Sequence, residues 1–293
     1  MKADRLSPRE HVTIVEVGPR DGLQNHARDF SVETKVGFIE ALAETGLTCI
    51  ETVAFVNPRA VPKMADAEAV MTGLHRRPGV RYMALVPNVK GLEGAISASV
   101  DSIGIFAAAT ESFSRANLNA SIDQTFGRFA DVMLRARQHG MWVRGYLSVA
   151  FHCPYSGNVS PEQVLPVLDR LRQLGCDELV LADTTGQAEP DRVRTLVEQA
   201  SAVVPVASLA LHLHDTRGLA LDNVAAGYES GIRVFDGSAG GIGGCPFSPG
   251  APGNVATESL VKFFDGQGIS TGIDADKVHA AYQTWIGTVA RQS

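Results

Sequence analysis

The chain has 293 residues, 45% of them hydrophobic and 20% charged, which is enough apolar material for a large core and a length that fits one large domain. Its 26 basic and 32 acidic residues leave a net charge of -6 with no basic block and few aromatic residues to stack bases, so nucleic acid is excluded as an expected partner. The first eight residues lack the apolar core of a signal peptide, and no apolar run reaches the roughly 18 residues of a membrane span. The expectation is a soluble cytoplasmic protein without a membrane partner.

In chain order, a first strand is predicted over 12–17, running into Gly18-Pro19-Arg20-Asp21-Gly22-Leu23-Gln24. A helix over 32–44, stopped by Gly46, precedes a strand over 48–53; further strands follow at 80–86 and 102–106. A helix over 122–138 ends at Gly140 and leads to a strand over 142–150; the next helix, 161–174, ends at Gly175 before a strand over 178–181. A helix over 191–203, a strand over 208–212, a helix over 220–229 stopped by Gly231 and a strand over 233–236 complete the pattern. Eight strands alternating with helical stretches predict an α/β fold, a closed (β/α)₈ TIM barrel with extra helices at the C-terminal end, in one domain spanning 1–293. The glycine-rich stretch 237–254 follows the last strand and is expected to be an active-site loop. An open doubly wound sheet is the competing fold, but the first strand leads into no G-x-G-x-x-G cradle.

His212 and His214 sit two apart at the end of the predicted seventh strand, so both imidazoles point to one side of the sheet, at the end of the barrel where such folds carry their sites. Asp21 follows the first strand, which closes beside the eighth and near the seventh. Together with the amide oxygen of Asn254 these residues form a mixed nitrogen and oxygen donor set that suits Mg²⁺ or Mn²⁺; zinc ordinarily prefers a tighter tetrahedral set. Arg20 is either a structural ion-pair partner or a fork that holds an anionic oxygen as charge develops. Glu51 ends the second strand and Asp183 the sixth, each able to orient a histidine or arginine or to serve as general base. Glu16, inside the first strand, needs a partner if buried, with Arg20 or a strand neighbour the expected one.

The four cysteines form no C-x-x-C pair, so neither a disulfide framework nor a structural zinc knot is expected. Cys49 and Cys176 are read as small buried hydrophobes. Cys245 differs because Gly240-Gly241-Ile242-Gly243-Gly244-Cys245-Pro246 offers it no core, and beside a metal site its simplest role is proton donation to a carbanion. His152 and Cys153 are read as packing, and His139 as a residue at a helix C-terminus.

Fragments across almost the whole chain, from about Val12 to near Thr271, resemble the 3-hydroxy-3-methylglutaryl-CoA lyases. They are 16–25 (EVGPRDGLQN), 55–58 (FVNP), Val61-Pro62 with Met64-Ala65-Asp66, Val143-Arg144-Gly145-Tyr146, His212-x-His214-Asp215-Thr216, and the glycine-rich Gly241-x-Gly243-Gly244-Cys245-Pro246 run reaching Asn254 and Glu258. The Arg-Asp and H-x-H elements are shared with Claisen-condensing barrels, and the Gly-Gly-Cys-Pro loop favours the lyase branch. The resemblance implies an acyl-CoA carbon–carbon lyase that cleaves 3-hydroxy-3-methylglutaryl-CoA to acetyl-CoA and acetoacetate by a retro-Claisen reaction. The sequence does not give the oligomeric state; a homodimer is the commonest symmetric outcome for any such chain. By the same resemblance Asp21, His212, His214 and Asn254 correspond to the metal shell, Arg20 to the residue steadying the enolate oxygen, Arg20 and Gln24 to substrate contacts, Cys245 to the catalytic thiol, and Glu51, Asp183 and Glu258 to supporting or proton-handling carboxylates. Ala54, Ala60, Thr185 and Arg217 depart from the family's usual residues. Ala54 and Arg217 are expected near the acyl pocket, and a smaller wall at Ala54 or Ala60 would suit a longer 3-hydroxy-3-alkylglutaryl-CoA. A condensing acyltransferase acting on acetyl-CoA and a 2-oxo acid competes with the lyase, as does a non-catalytic metal- or CoA-binding barrel. For the CoA phosphates the sequence offers Lys63, Arg59 or Lys90 without choosing among them.

Overall fold

The computed structural model describes residues 10–243 and 253–287. Its elements follow as β1 (Thr13–Glu16), α1 (Val32–Ala43), β2 (Cys49–Ala54), α2 (Ala67–Gly73), β3 (Arg81–Leu85), α3 (Val89–Ser97), β4 (Ser102–Ala108), α4 (Glu111–Leu118), α5 (Ile122–Gln138), β5 (Trp142–Ser148), β6 (His152–Cys153) and β7 (Gly157–Asn158). They continue with α6 (Pro161–Gln173), β8 (Glu178–Asp183), α7 (Pro190–Ser201), β9 (Leu209–Leu213), α8 (Ala220–Glu229), β10 (Val234–Gly237), α9 (Thr257–Asp265) and α10 (Ala275–Tyr282). Eight parallel strands close in the order β1-β10-β9-β8-β5-β4-β3-β2, while β6 and β7 form a separate antiparallel pair. The expected eight-stranded barrel is therefore the observed one; α9 follows its eighth strand, and α10 is an extra C-terminal helix.

The strands read as near-continuous apolar runs because helices cover one face and the barrel interior the other, so all six residues of β2 and all five of β9 are buried. The long helices start where the sequence supplies caps. Ser121 and Gln124 form a reciprocal capping box at the start of α5, whose Phe126, Phe129, Val132, Met133 and Ala136 bury one face at helical spacing. Helices α2, α3 and α4 span only seven, nine and eight residues, too few turns for periodicity to mark them, which is why the sequence predicts none of them. The predicted strand over 142–150 stops at Ser148 because Val149 takes a left-handed φ of 52° and turns the chain into the β6–β7 pair. At the C-terminal end, Trp285 packs against α1, where a Cβ on Gly37 would lie 2.3 Å from the indole, so that position needs glycine.

Among the described residues no helix is long and apolar enough to cross a membrane. Residues 244–252, which contain Cys245 and half of the glycine-rich stretch 237–254, lie outside the described residues. On either side of them the chain is anchored: Asp215 N donates to Gly253 O at 2.7 Å, and Ser238 Oγ donates to Ile242 O at 2.7 Å.

Candidate active site

The chain leaves β1 through a tight turn, Gly18–Gly22, that aims Arg20 and Asp21 across the C-terminal end of the barrel. The turn is tied down by Glu16, which is fully buried. Its Oε1 accepts from Gly18 N at 2.7 Å and from Ala239 N at 2.9 Å, and its Oε2 accepts from Thr257 Oγ1 at 2.6 Å. This corrects the expected Arg20 pairing: the Glu16 carboxylate joins the two ends of the barrel seam and leaves Arg20 to the site. A Cβ on Gly18 would sit 2.5 Å from Glu16 Oε1, so only glycine lets the carboxylate reach its own turn.

Burial raises the Glu16 carboxyl to about 7 from its ordinary 4.5, against the pull of its three hydrogen bonds. A folded value above the unfolded one means that the folded chain holds a proton the unfolded chain has released between these limits. The group's stabilising contribution is thus complete below pH 4.5 and is lost as the pH rises through 7, a change of about 3 kcal/mol. Glu16→Gln cannot ionise and is expected to escape that loss. Urea unfolding of both proteins from pH 4.5 to 7 should show the stability difference moving toward the variant, and a pH-independent difference would refute the raised value.

Arg20 is nearly buried and committed on both edges. Its Nε donates to Glu51 Oε2 at 2.7 Å and its Nη1 to Asp21 Oδ1 at 2.7 Å. Glu51 is buried on β2, with Oε1 lacking any hydrogen-bond partner. Burial raises its carboxyl, and Arg20 opposes the rise. For Asp21 the balance is reversed: burial acts to raise the carboxyl, but Arg20 and both imidazoles outweigh it and hold it at about 2. Asp21 Oδ2 accepts from Asn254 Nδ2 at 2.8 Å across 233 residues of sequence.

His212 and His214 project from the end of β9 with ring centroids 5.2 Å apart. One donor atom each from Asp21, His212 and His214 lie within 4.8 Å of one another. His214 Nδ1 and Asn254 Oδ1 are buried and have no hydrogen-bond partner, as expected of atoms that a cation would satisfy. The four residues therefore fit a divalent ion, with carboxylate, imidazole and amide donors of the hard-to-intermediate kind. Burial and the adjacent His212 push His214 down to about 4, keeping its ring neutral and able to ligate.

Asp236 on β10 is a residue that sequence reasoning missed. Its Oδ2 lies 3.1 Å from His212 Nδ1, and its Oδ1 lies 2.7 Å from Arg144 Nη1, off the line of a good hydrogen bond. A carboxylate can only accept, so His212 carries its proton on Nδ1 and turns Nε2 toward the cluster. Burial acts to lower His212, and the bond to Asp236 overrides it and raises the group. Arg144 is fully buried in the barrel interior, where it also donates to Glu178 Oε1 at 2.6 Å and to Tyr146 Oη at 2.9 Å. The available signal was a carboxylate inside a strand whose neighbours are apolar, the same signal that picked out Glu16.

The other expected carboxylates stand further back. Asp183 Oδ1 and Oδ2 accept from Gln187 N and Ala188 N at 3.0 and 2.9 Å, so it caps its own loop, and among the described residues it makes no hydrogen bond to a histidine or arginine. Burial raises it to about 6. Both oxygens of Glu258 accept from Gly240 N, bracing the start of the glycine-rich loop. Cys153 accepts from Thr110 Oγ1 at 3.2 Å and is packed away, as the sequence suggested, and Cys49 is buried.

A cavity of about 420 Å³ opens from this cluster. Arg20, Asp21, His212 and His214 form its polar end, Gln24 and Ala60 are in its wall, and Glu51, Asp183 and Glu258 are not. Ala54 borders a neighbouring cavity instead, together with Arg59 and Lys90, and Arg217 pairs with Glu189 at 3.4 Å outside both. The expectation that Ala54 and Arg217 lie at the acyl pocket is thus corrected: neither lines the cavity of the metal cluster.

Residues 11–284 match the HMGL-like family model. The chain belongs to the HMGL-like family. The hydroxymethylglutaryl-CoA lyase of Pseudomonas mevalonii is 50% identical over 267 residues, covering 91% of this chain and 89% of that protein. The crystal structure of hydroxymethylglutaryl-CoA lyase from Pseudomonas aeruginosa superposes with a TM-score of 0.94 at 45% identity, covering 98% of this chain and 95% of that one. A family structure from Acinetobacter baumannii, an HMG-CoA lyase in complex with coenzyme A and 3-methylmalate, matches with a TM-score of 0.90 at 36% identity over 95% and 91% of the two chains. The family's barrel is the one described above.

Proposed function

We propose that this chain is a divalent-metal-dependent carbon–carbon lyase that cleaves 3-hydroxy-3-methylglutaryl-CoA to acetyl-CoA and acetoacetate. The observation that carries the reading is the meeting of Asp21, His212 and His214 within 4.8 Å at the polar end of the cavity that Arg20 also lines. Relatives matched along nearly their whole length are lyases, which favours cleavage over the condensing direction.

Asp21, His212, His214 and Asn254 hold Mg²⁺ or Mn²⁺. When bound, such an ion supplies Lewis acidity and lowers the pKa of a hydroxyl beside it. The substrate's tertiary hydroxyl loses its proton to solvent at the open end of the cavity, its carbon becomes the ketone of acetoacetate, and the electron pair of the broken carbon–carbon bond passes to the thioester as an enolate. Arg20, aligned by Glu51, donates to the enolate oxygen as its charge grows. Asp236 keeps His212 in the ligating tautomer. The enolate carbon takes a proton from the thiol of Cys245, two residues beyond Gly243, whose Cβ, if it had one, would lie 2.7 Å from Asn254 Nδ2.

Purified protein with Mg²⁺ or Mn²⁺ is expected to release acetyl-CoA and acetoacetate in equal amounts from 3-hydroxy-3-methylglutaryl-CoA. Absence of both products would sink the proposal, and acetyl-CoA consumption with 2-oxo acids would replace it by the condensing reaction. Cys245→Ala is expected to lose at least about 100-fold in kcat while binding Mn²⁺ as tightly as the parent, in line with the usual contribution of a positioned acid. Unchanged turnover would remove the thiol from the mechanism.

A further inference from the structure

Among the described residues Arg144 is the largest fully buried side chain, and no step of the reaction above uses it. A guanidinium stays charged in the interior, so burying it is costly unless carboxylates and acceptors repay it. Its partners are unevenly placed. Nε donates to Glu178 Oε1 at 2.6 Å, Nη1 donates to Tyr146 Oη at 2.9 Å and lies 2.7 Å from Asp236 Oδ1, and Nη2 has no hydrogen-bond partner.

These partners join the two ends of the barrel. Arg144 on β5 is in register with Glu178 at the start of β8, and Glu178 borders a cavity at the strand starts together with Thr13, Ser102 and Trp142. Tyr146, two residues along β5 and therefore on the same face, lines the cavity of the metal cluster. Asp236 stands on β10, which β8 and β9 separate from β5 in the closed sheet, so its contact with Arg144 crosses the barrel interior. Asp236 is thereby approached from both sides, by Arg144 at Oδ1 and by His212 Nδ1 at Oδ2. His212 must be neutral to ligate, so among the described residues Arg144 is the one permanent cation paired with this carboxylate.

Resting on the metal site proposed above, we infer that Arg144 is a positioning residue for that site. It fixes the Asp236 carboxylate from its far side, and the carboxylate in turn fixes the ring direction and tautomer of His212 on the next strand. Arg144 touches neither metal nor substrate. A guanidinium that only stapled β5 to β8 would act through Glu178, and the two roles separate by experiment.

Mn²⁺ titration followed by electron paramagnetic resonance tests this on the parent, Arg144→Met, Asp236→Asn, Arg144→Met/Asp236→Asn and Glu178→Gln. Arg144→Met is expected to bind Mn²⁺ about tenfold more weakly, the lower end of the range for partners that orient a ligating histidine. The effect passes through Asp236, so the double variant is expected to bind as Asp236→Asn does, a non-additivity that two independent losses would not give. Glu178→Gln leaves the Asp236 contact in place and is expected to keep the parent's affinity whatever it costs in stability. Arg144→Lys serves where Arg144→Met does not fold: it keeps a cation in the barrel, but its single ammonium replaces the fork that meets Glu178 and Asp236 together, and affinity is expected to fall in the same direction. In metal-free protein carrying ¹⁵N-labelled histidine, long-range ¹⁵N–¹H spectra are expected to show His212 protonated on Nδ1 in the parent and in Glu178→Gln, and a mixture of tautomers in Arg144→Met. Parent-like affinity in the folded Arg144 variants, an equal loss in Glu178→Gln or additive losses in the double variant overturn the positioning role and leave the metal site standing. Parent protein that binds no Mn²⁺ while His212 keeps its proton on Nδ1 overturns the metal site itself.

Discussion

Arg20→Met is expected to lower kcat by about 10²–10³, the range for removing one donor aimed at a developing oxyanion. The fold should suffer as well, and the two effects are separable. Arg20 is the hydrogen-bond partner of Glu51 Oε2, and Glu51 Oε1 has none, so the substitution leaves a buried carboxylate uncompensated. Breaking such a pair costs about 3–5 kcal/mol, whereas replacing both members by apolar groups of similar size is often close to neutral. Arg20→Met/Glu51→Met is therefore expected to recover most of the stability and none of the activity. Thermal unfolding and steady-state kinetics on the two variants and the parent check this. A double variant no more stable than Arg20→Met would mean that Glu51 is held by something other than Arg20.

Asp236→Asn is the second substitution with a large expected effect, and it acts on metal affinity. Asp236 Oδ2 is 3.1 Å from His212 Nδ1, and an acceptor-only partner fixes the proton there. The asparagine amide can donate as well as accept, so it permits the tautomer whose Nε2 carries hydrogen and cannot ligate. Loss of such outer partners typically costs 10–100-fold in metal affinity or activity. Mn²⁺ titration followed by electron paramagnetic resonance is expected to show a loss in that range, with turnover partly restored at saturating Mn²⁺. Arg144 keeps its bond to Glu178 in the variant, so a wholesale collapse is not expected, and circular dichroism checks that. Affinity equal to the parent's would show that His212 does not depend on Asp236.

Much of the site was readable because its chemistry travels with local pattern. His212 and His214 alternate along one strand, so their shared direction follows from the period of two, and in the structure both rings lie at the end of β9. Asp21 sits in the turn after β1, next to Arg20, and strand closure brings it to the histidines. The carboxylates were harder. Asp183 ends β8 and Glu258 lies in the first turn of α9, while Glu51 and Asp236 sit inside β2 and β10, and which one meets Arg20, which His212 and which only a backbone N–H depends on side-chain directions that no spacing rule encodes. The same holds for Ala54 and Ala60, only one of which faces the cavity.

By itself the sequence determined the alternation of strand and helix, the glycines that end helices at 46, 140, 175 and 231, and the identity of the donor atoms available to a metal. These are local properties, set by side-chain periodicity and by the backbone conformations glycine permits; all four glycines have positive φ. Only the tertiary structure decided the pairings: Glu16 with Thr257, Asp21 with Asn254, His212 with Asp236, Arg20 with Glu51. Each joins residues from different strands or loops, and buried charges must be matched in three dimensions, so closure of the barrel selects the partner from many chemically equivalent candidates.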